Sequence, residues 1–220
     1  YPVGKISDEQ VLFLSDIFPT GYMAAEFCNL KGGETVAVWG AGPVGQFTVR
    51  SALLLGAARV LAIDTVAKRL ELAREAGAET IDFMKEDVYE RIQELTKGRG
   101  ADACIDAVGT EPETNASADS VIDRIKVATF MGTDRPHVLR QSIQCCSNFG
   151  TVSIVGVYGG YVDKIPMGSA INRGLTFRMA QTPVQHYLPK LMERIQKGEI
   201  DPSFVITQTA PLDKGPELYK

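Results

Sequence analysis

Residues 35–64 read TVAVWGAGPVGQFTVRSALLLGAARVLAID, and this stretch decides the fold. It opens with a short apolar run, rich in β-branched and aromatic residues, that predicts a strand buried on both faces over residues 35–39. A tight glycine turn comes next, followed by a segment of helical composition over residues 46–55 and a second apolar run over residues 59–63. That second run ends on Asp64. The stretch therefore predicts one strand–turn–helix–strand unit.

The turn matches the pattern G-x-G-x-x-G, which is typical of dinucleotide-binding sites. Its residues are Gly40, Ala41, Gly42, Pro43, Val44 and Gly45. The first glycine allows the sharp turn, the second leaves room for a pyrophosphate, and the third lets the helix pack on the strand. Unpaired N–H groups at the start of the following helix attract the phosphates.

Asp64 lies roughly 20 residues beyond the turn, where a carboxylate can accept hydrogen bonds from the adenosine ribose. Because that carboxylate would repel a 2′-phosphate, the sequence predicts NAD rather than NADP as the cofactor. Two alternatives stay open from these residues alone. Instead of an NAD site, the unit would be a Rossmann-like turn without a ligand or a site for S-adenosylmethionine.

Strand and helix patterns alternate along the rest of the chain. This alternation predicts the fold class as α/β, a doubly wound parallel sheet of the Rossmann type. Further strands are predicted at 79–83, 101–106, 151–155, 175–179 and 204–207, and helices at 66–75, 88–95, 137–147 and 185–197. Ser7 begins a capping box, and Pro19 suits the first turn of a helix that runs to about residue 29. Residues 110–136 indicate a surface loop and one helix.

Composition excludes several classes of protein. The 220 residues carry a net charge of −4 with no block of basic residues, which disfavours a nucleic-acid partner. No apolar run is long enough to span a bilayer, and no secretory signal opens the chain. The four cysteines lack paired C-x-x-C spacing. Vicinal Cys145 and Cys146 are either redox-active or small helix residues in a reducing cytosol, so we expect a cytoplasmic protein.

Several motifs together resemble the nucleotide-binding half of the zinc-containing medium-chain alcohol dehydrogenases, most closely the bacterial formaldehyde dehydrogenase-like branch. The matching segments are SDIFPTGY at residues 15–22, the glycine turn, Asp64 with Arg69, DAVG at 106–109 and GTVSIVGV at 150–157. The chain begins with Tyr1 rather than Met and ends inside a predicted helix. We therefore expect it to be part of a longer protein whose N-terminal catalytic domain lies outside this sequence.

The resemblance implies roles for residues around NAD and zinc. Asp16 takes the position of a catalytic zinc ligand, and the family's Cys and His ligands would come from the catalytic domain; the alternative is a helix-capping aspartate. No catalytic residue is assigned within the chain. The residues implied to bind NAD are Thr20 and Val44 at the nicotinamide, Arg69 beside the ribose, Val108, Val155 and Val157 at the crevice floor, and the backbone near Ala180 and Thr182 at the carboxamide. For the valines the alternative is plain core packing, and for Arg69 it is a solvated charge.

The resemblance also divides the chain and suggests its function. Residues 1–30 would be connecting helices, 31–183 the Rossmann domain, and 184–220 an extension toward the catalytic domain. The whole protein would transfer a hydride between an alcohol or formaldehyde-type substrate and NAD, with zinc as a Lewis acid. The alternatives are a non-catalytic NAD(H)-sensing module and a zinc-free quinone reductase relative. Strand 175–179 is expected at a sheet edge, where it would form a homodimer or homotetramer contact.

Overall fold

A computed structural model describes residues 6–109, 133–134, 136–158, 161–162 and 164–218. The loop and helix predicted over residues 110–136 lie almost entirely outside the described residues. None of the helices in the described ranges is long and apolar enough to cross a membrane.

Six parallel strands form one sheet in the order β3-β2-β1-β4-β6-β8, and the short strands β5 and β7 pair separately. The strands are β1 Thr35–Trp39, β2 Arg59–Asp64, β3 Glu79–Asp82, β4 Ala101–Asp106, β5 Thr133–Asp134, β6 Cys146–Ile154, β7 Tyr161–Val162 and β8 Thr176–Met179. The sequence order reverses between β1 and β4, so the sheet is doubly wound. This confirms the predicted fold class.

The helices connect and cover these strands. They are α1 Asp8–Leu12, α2 Ile17–Glu26, α3 Pro43–Leu54, α4 Ala67–Glu75, α5 Val88–Leu95, α6 His137–Cys145, α7 Met167–Asn172, α8 Val184–Gln196 and α9 Gly215–Leu218. Short 3₁₀ turns lie at Phe13–Ser15, Pro202–Val205 and Leu212–Lys214. The predicted capping box at Ser7 is present, and Pro19 lies in the first turn of α2.

Both faces of the central strands β2, β1 and β4 are buried, as expected for a parallel sheet that helices cover on each side. On one face, Trp39, Leu61 and Ile81 pack with residues of α5 and α6. On the other face, Val36, Val38 and Val60 pack with residues of α2, α3 and α4. A third cluster joins α2 to α8 around the fully buried Phe18, Tyr22 and Phe47.

The structure corrects two predictions. Residues 204–207 do not form a strand, because Pro202–Val205 is a 3₁₀ turn in which the Asp201 side chain accepts the Ser203 N–H group. The aromatic ring of Phe204 packs on Phe47, with ring centroids 4.9 Å apart, instead of joining the sheet. Cys146 is not a helix residue, because α6 ends at Cys145 and β6 begins immediately after it.

Candidate functional site

The carboxyl ends of the parallel strands meet at one edge of the sheet, and the space outside this edge is called here the crevice. Trp39 ends β1, Asp64 ends β2, Asp106 ends β4 and Ile154 ends β6. The order of the strands reverses between β1 and β4, and ligands of open α/β sheets bind outside the strand ends at such a point. The glycine turn follows β1 directly, so the predicted binding unit lies beside this point.

The glycine turn has the shape that its sequence predicts. Gly40 has a φ of +87°, and a Cβ there would lie 2.8 Å from Cγ2 of Val108. A Cβ on Gly45 would lie only 1.8 Å from the carbonyl oxygen of Gly40, so the start of α3 contacts the turn backbone. At Gly42 a Cβ would meet no atom within 4 Å, and this open side leaves the main chain accessible to a ligand.

Gly42 is the N-cap of α3, and Pro43 is its first residue. The Gln46 N–H group bonds to the Gly42 carbonyl at 2.8 Å, whereas helix geometry gives the N–H groups of Val44 and Gly45 no intrahelical acceptor. These two groups lie at the positive end of the helix dipole. The start of α3 therefore offers the N–H groups that bind phosphates.

The Asp64 carboxylate joins the glycine turn to the end of β2. Its Oδ2 accepts the Ala41 N–H group at 2.8 Å, and its Oδ1 accepts the N–H groups of Thr65 and Val66 at 2.7 and 2.9 Å. The Arg69 guanidinium lies 3.7 Å from Oδ2, and half of its side chain stays exposed. Since each carboxylate oxygen has two lone pairs, Oδ2 retains capacity for a ligand hydroxyl.

Gln46 is a residue of this site that the sequence reasoning missed. Its side chain is 2% exposed, and its Nε2 donates to the carbonyl oxygens of Ala41 at 3.0 Å and Arg69 at 2.8 Å. Gln46 thereby ties the glycine turn to α4. The only sequence signal was an amide immediately after the third glycine, on a helix that is otherwise apolar or small at its buried positions.

Asp106 belongs to the DAVG segment, but it was not among the residues predicted to bind the cofactor. The residue is fully buried, and its Oδ1 accepts the N–H groups of Val108 and Gly109 at 2.9 and 3.0 Å. Its Oδ2 accepts the Tyr158 hydroxyl at 2.5 Å. The carboxylate thus fixes the loop after β4 against the segment after β6.

The three predicted crevice valines lie on this pair of segments. Val108 is half-buried beside Gly40, and Val155 is half-buried with its N–H group bonded to the Asp106 carbonyl at 3.0 Å. Val157 is 65% exposed and pairs with Gly109 in a parallel bridge. Plain core packing therefore does not describe Val157, while Val108 also packs against the core.

Asp16, Thr20 and Thr182 come together although they lie far apart in the sequence. The Thr20 hydroxyl oxygen is 2.9 Å from both the carbonyl oxygen and Oδ1 of Asp16. Thr182 donates its hydroxyl to the Thr20 hydroxyl oxygen at 2.9 Å. Asp16 is the N-cap residue of α2, but its side chain makes no capping bond. The alternative of a side-chain cap is therefore wrong.

One salt bridge and one hydrogen bond at Glu26 hold α2, which carries Thr20, against α8. Glu26 accepts the Tyr187 hydroxyl at 2.8 Å and the Lys190 ammonium at 2.7 Å. Burial acts to raise the pKa of Glu26, but these two partners lower the pKa overall. Burial, together with the bond to Glu26, raises the pKa of Tyr187.

The described residues bring together too few metal-ligating side chains to hold a metal ion. Asp16 is exposed and offers one carboxylate. Within the described ranges no three side chains of His, Cys, Asp or Glu come together to hold a metal ion. A catalytic zinc site needs three protein ligands and an open position, so these residues do not form one by themselves.

Ala180, predicted near the carboxamide, is exposed just beyond the end of β8.

The sheet order, the glycine turn and the acid at the end of β2 define the class of protein: this is a Rossmann domain of the dinucleotide-binding type. The profile of the family described as zinc-binding dehydrogenase matches residues 43–133. A zinc-type alcohol dehydrogenase-like protein of Schizosaccharomyces pombe is 34% identical over 97% of this chain and 50% of its own length. A glutathione-independent formaldehyde dehydrogenase of Bacillus subtilis is 32% identical over 98% of this chain and 52% of its own length.

A solved structure of the alcohol dehydrogenase TADH from Thermus sp. ATN1 superposes with a TM-score of 0.80. It is 29% identical and covers 97% of this chain and 55% of its own length. The chain is thus similar to the nucleotide-binding portion of zinc-type alcohol dehydrogenases. It spans about half the length of the curated relatives it matches.

Proposed function

We propose that this domain binds NAD(H) across the glycine turn. The carrying observation is the connection between the turn and Asp64, because one carboxylate both holds Ala41 and lies at the strand end where a ribose would bind. The pyrophosphate would lie over Gly42 and accept the N–H groups of Val44 and Gly45. Open space at Gly42 and the close contact of Gly45 with the turn backbone support this proposal.

The remaining predicted contacts lie at the ribose, at the floor of the crevice and at the nicotinamide end of the cofactor. Arg69 would lie beside the ribose, since its guanidinium is already 3.7 Å from Asp64. Val108, Val155 and Val157 would line the floor of the crevice. Thr20, Thr182 and the backbone at Ala180 would lie at the nicotinamide end, and the hydrogen bond that joins the two threonines supports this grouping.

We further propose that the whole protein is a zinc-dependent NAD alcohol or aldehyde dehydrogenase. The bound nicotinamide supplies hydride chemistry, while the protein binds and orients it. Asp16 would contribute one ligand to zinc, and a Cys and a His outside this sequence would complete the set. Since the described residues lack that set, we expect these 220 residues alone to bind NADH without oxidising alcohols.

The exposed edge of the sheet is the proposed contact between subunits. Among the described strands, β8 is the last of the sheet, and its Met179 is 60% exposed. Edge strands with unpaired backbone groups recruit other strands. We expect a homodimer through β8, which sedimentation velocity would detect; a monomer at high protein concentration would contradict this part of the proposal.

Titration calorimetry of the 220-residue chain tests the cofactor assignment. We expect NADH to bind and NADPH to bind at least about tenfold more weakly, because the Asp64 carboxylate repels a 2′-phosphate. Stronger binding of NADPH would favour the quinone reductase alternative. Absence of heat with both cofactors, confirmed by unchanged NADH fluorescence, would refute the proposed function.

A further inference from the structure

A second carboxylate stands next to Asp64 at the same edge of the sheet. Asp82 ends β3 and is the register partner of Asp64 on β2. Backbones of neighbouring parallel strands lie about 4.8 Å apart, and side chains at paired positions point to the same face. The Phe83 N–H group bonds to the Asp64 carbonyl at 3.3 Å, so the pairing continues one residue further. Asp82 therefore borders the crevice beside the proposed ribose site.

The contacts of Asp82 keep its carboxylate fixed and ionised. Its Oδ1 accepts the Met84 N–H group at 3.1 Å and the Thr65 hydroxyl at 3.2 Å. Its Oδ2 lies 2.8 Å from the Lys85 ammonium, and 13% of the Asp82 side chain is exposed. Lys85 lowers the pKa of Asp82, and the Met84 and Thr65 bonds act in the same direction.

The contact with Thr65 changes what the first residue after β2 can offer a ligand. Thr65 follows Asp64 directly, and its hydroxyl proton is directed toward Asp82. A phosphate on the ribose would need donors at this position, because phosphates are recognised by N–H and O–H groups. With Asp82 in place, the Thr65 hydroxyl presents an oxygen lone pair instead.

We propose that Asp82 is a second residue, with Asp64, that excludes dinucleotides carrying a 2′-phosphate from this site. The inference rests on the proposed NAD(H) binding and concerns which dinucleotides the same site accepts. Asp64 disfavours a 2′-phosphate by repelling it at the ribose hydroxyl that Asp64 binds. Asp82 adds a negative charge on the neighbouring strand, and it accepts the Thr65 hydroxyl proton that a phosphate would otherwise accept. NAD, which is uncharged at this hydroxyl, is unaffected by either effect.

Asp82→Asn separates the charge of Asp82 from its structural role. The amide keeps one oxygen that can accept the Met84 N–H group, so the turn after β3 is preserved. We expect the dissociation constant of NADPH to fall about tenfold, since a unit charge near a phosphate dianion is removed, and that of NADH to change less than twofold. The gain should shrink when the salt concentration rises from 20 to 300 mM, because salt screens exposed charges.

Two further variants complete the test. Glu193→Gln removes one charge from α8, on the side of the domain where α8 contacts α2, and should leave both dissociation constants unchanged. Lys85→Gln removes the cation beside Asp82 from a side chain that is 78% exposed, so folding should be unaffected. Because Asp82 then loses its counter-charge, NADPH should bind about threefold more weakly and NADH as before.

Fluorescence titration with NADH and NADPH distinguishes the outcomes. An unchanged ratio of the two dissociation constants in Asp82→Asn, with NADH still bound, would overturn this inference alone. An equal shift in Glu193→Gln would also overturn it, because the effect would then be one of overall charge. Failure of the parent chain to bind either cofactor would instead overturn the proposed function.

Discussion

Asp64→Asn tests two roles of the Asp64 carboxylate at once, the bonds that it makes to the backbone and the proposed contact with the ribose. The Asp64 carboxylate is 6% exposed and accepts three backbone N–H groups, from Ala41, Thr65 and Val66. An asparagine can keep its oxygen toward Thr65 and Val66, but its NH₂ group then faces the Ala41 N–H group. That buried donor is left without an acceptor.

The expected cost follows from these bonds. An unsatisfied buried donor costs about 1–3 kcal/mol, and the two remaining bonds lose their charge assistance. We expect a loss of about 2–3 kcal/mol in the free energy of unfolding, which corresponds to a midpoint about 1 M lower in urea. Loss of charge-assisted bonds to the ribose should raise the NADH dissociation constant about 10- to 100-fold.

The matched control is Asp102→Asn. Asp102 accepts the Thr35 N–H group at 2.8 Å, at the opposite end of the sheet from the crevice. This change should cost about 1–2 kcal/mol and leave the NADH affinity unchanged. Urea unfolding followed by circular dichroism, with NADH titration of each folded variant, measures both quantities. An Asp64→Asn chain that unfolds at the parent midpoint would refute the reasoning about the Asp64 bonds. An NADH affinity within twofold of the parent would refute the ribose contact.

Four other substitutions test separate parts of the structure. Gly45→Ala places a methyl group 1.8 Å from a carbonyl oxygen of the turn and should prevent stable folding, which thermal unfolding would show. The methyl group of Gly42→Ala meets no atom within 4 Å, so this variant should fold normally. It should bind NADH more weakly, which titration would show. Tyr158→Phe removes a hydroxyl from the buried Asp106 carboxylate and should cost about 2 kcal/mol in urea unfolding; an unchanged midpoint would contradict the role given to that bond. Since the folded-state pKa of Glu26 is lowered, its contribution is present above the ordinary carboxyl pKa of 4.5 and is lost as the pH falls through the lowered value. The pair is partly exposed, so Glu26→Gln should reduce the stability lost between pH 6 and pH 3 by less than about 1 kcal/mol, and a larger acid loss in the variant would show that the sign is wrong.

Local sequence signals were sufficient to predict the bounds of a strand or helix where capping residues or glycines mark its ends. α5 occupies the predicted residues because Asp87 caps its start, and glycines follow its end. The glycine turn and its acid were also readable, because chain geometry alone fixes their spacing. The prediction for residues 204–207 failed because three apolar residues suit a strand or a packed turn equally well. The turn packs through contacts of Phe204 with Phe47 and Arg50, both more than 150 positions away in the sequence.

The candidate site shows the same limit. The resemblance placed Asp16 at a zinc-ligand position, with a helix cap as the alternative, and neither predicts its contact with Thr20. The Asp16 carboxylate accepts the Thr20 hydroxyl, which in turn accepts a hydroxyl from a residue 162 positions later. Gln46 has no distinctive pattern, because its importance comes from the two carbonyl oxygens that converge on it. Hydrogen bonds between distant segments depend on how the helices pack on the sheet, which periodicity does not specify.

Soaking NADH into crystals of this chain tests the central proposal most directly. We expect density for the pyrophosphate over the glycine turn, within hydrogen-bond distance of the Val44 and Gly45 N–H groups, and ribose hydroxyls on Asp64. Density for NADH elsewhere on the molecule, with the turn and Asp64 making no contact to it, would contradict the account.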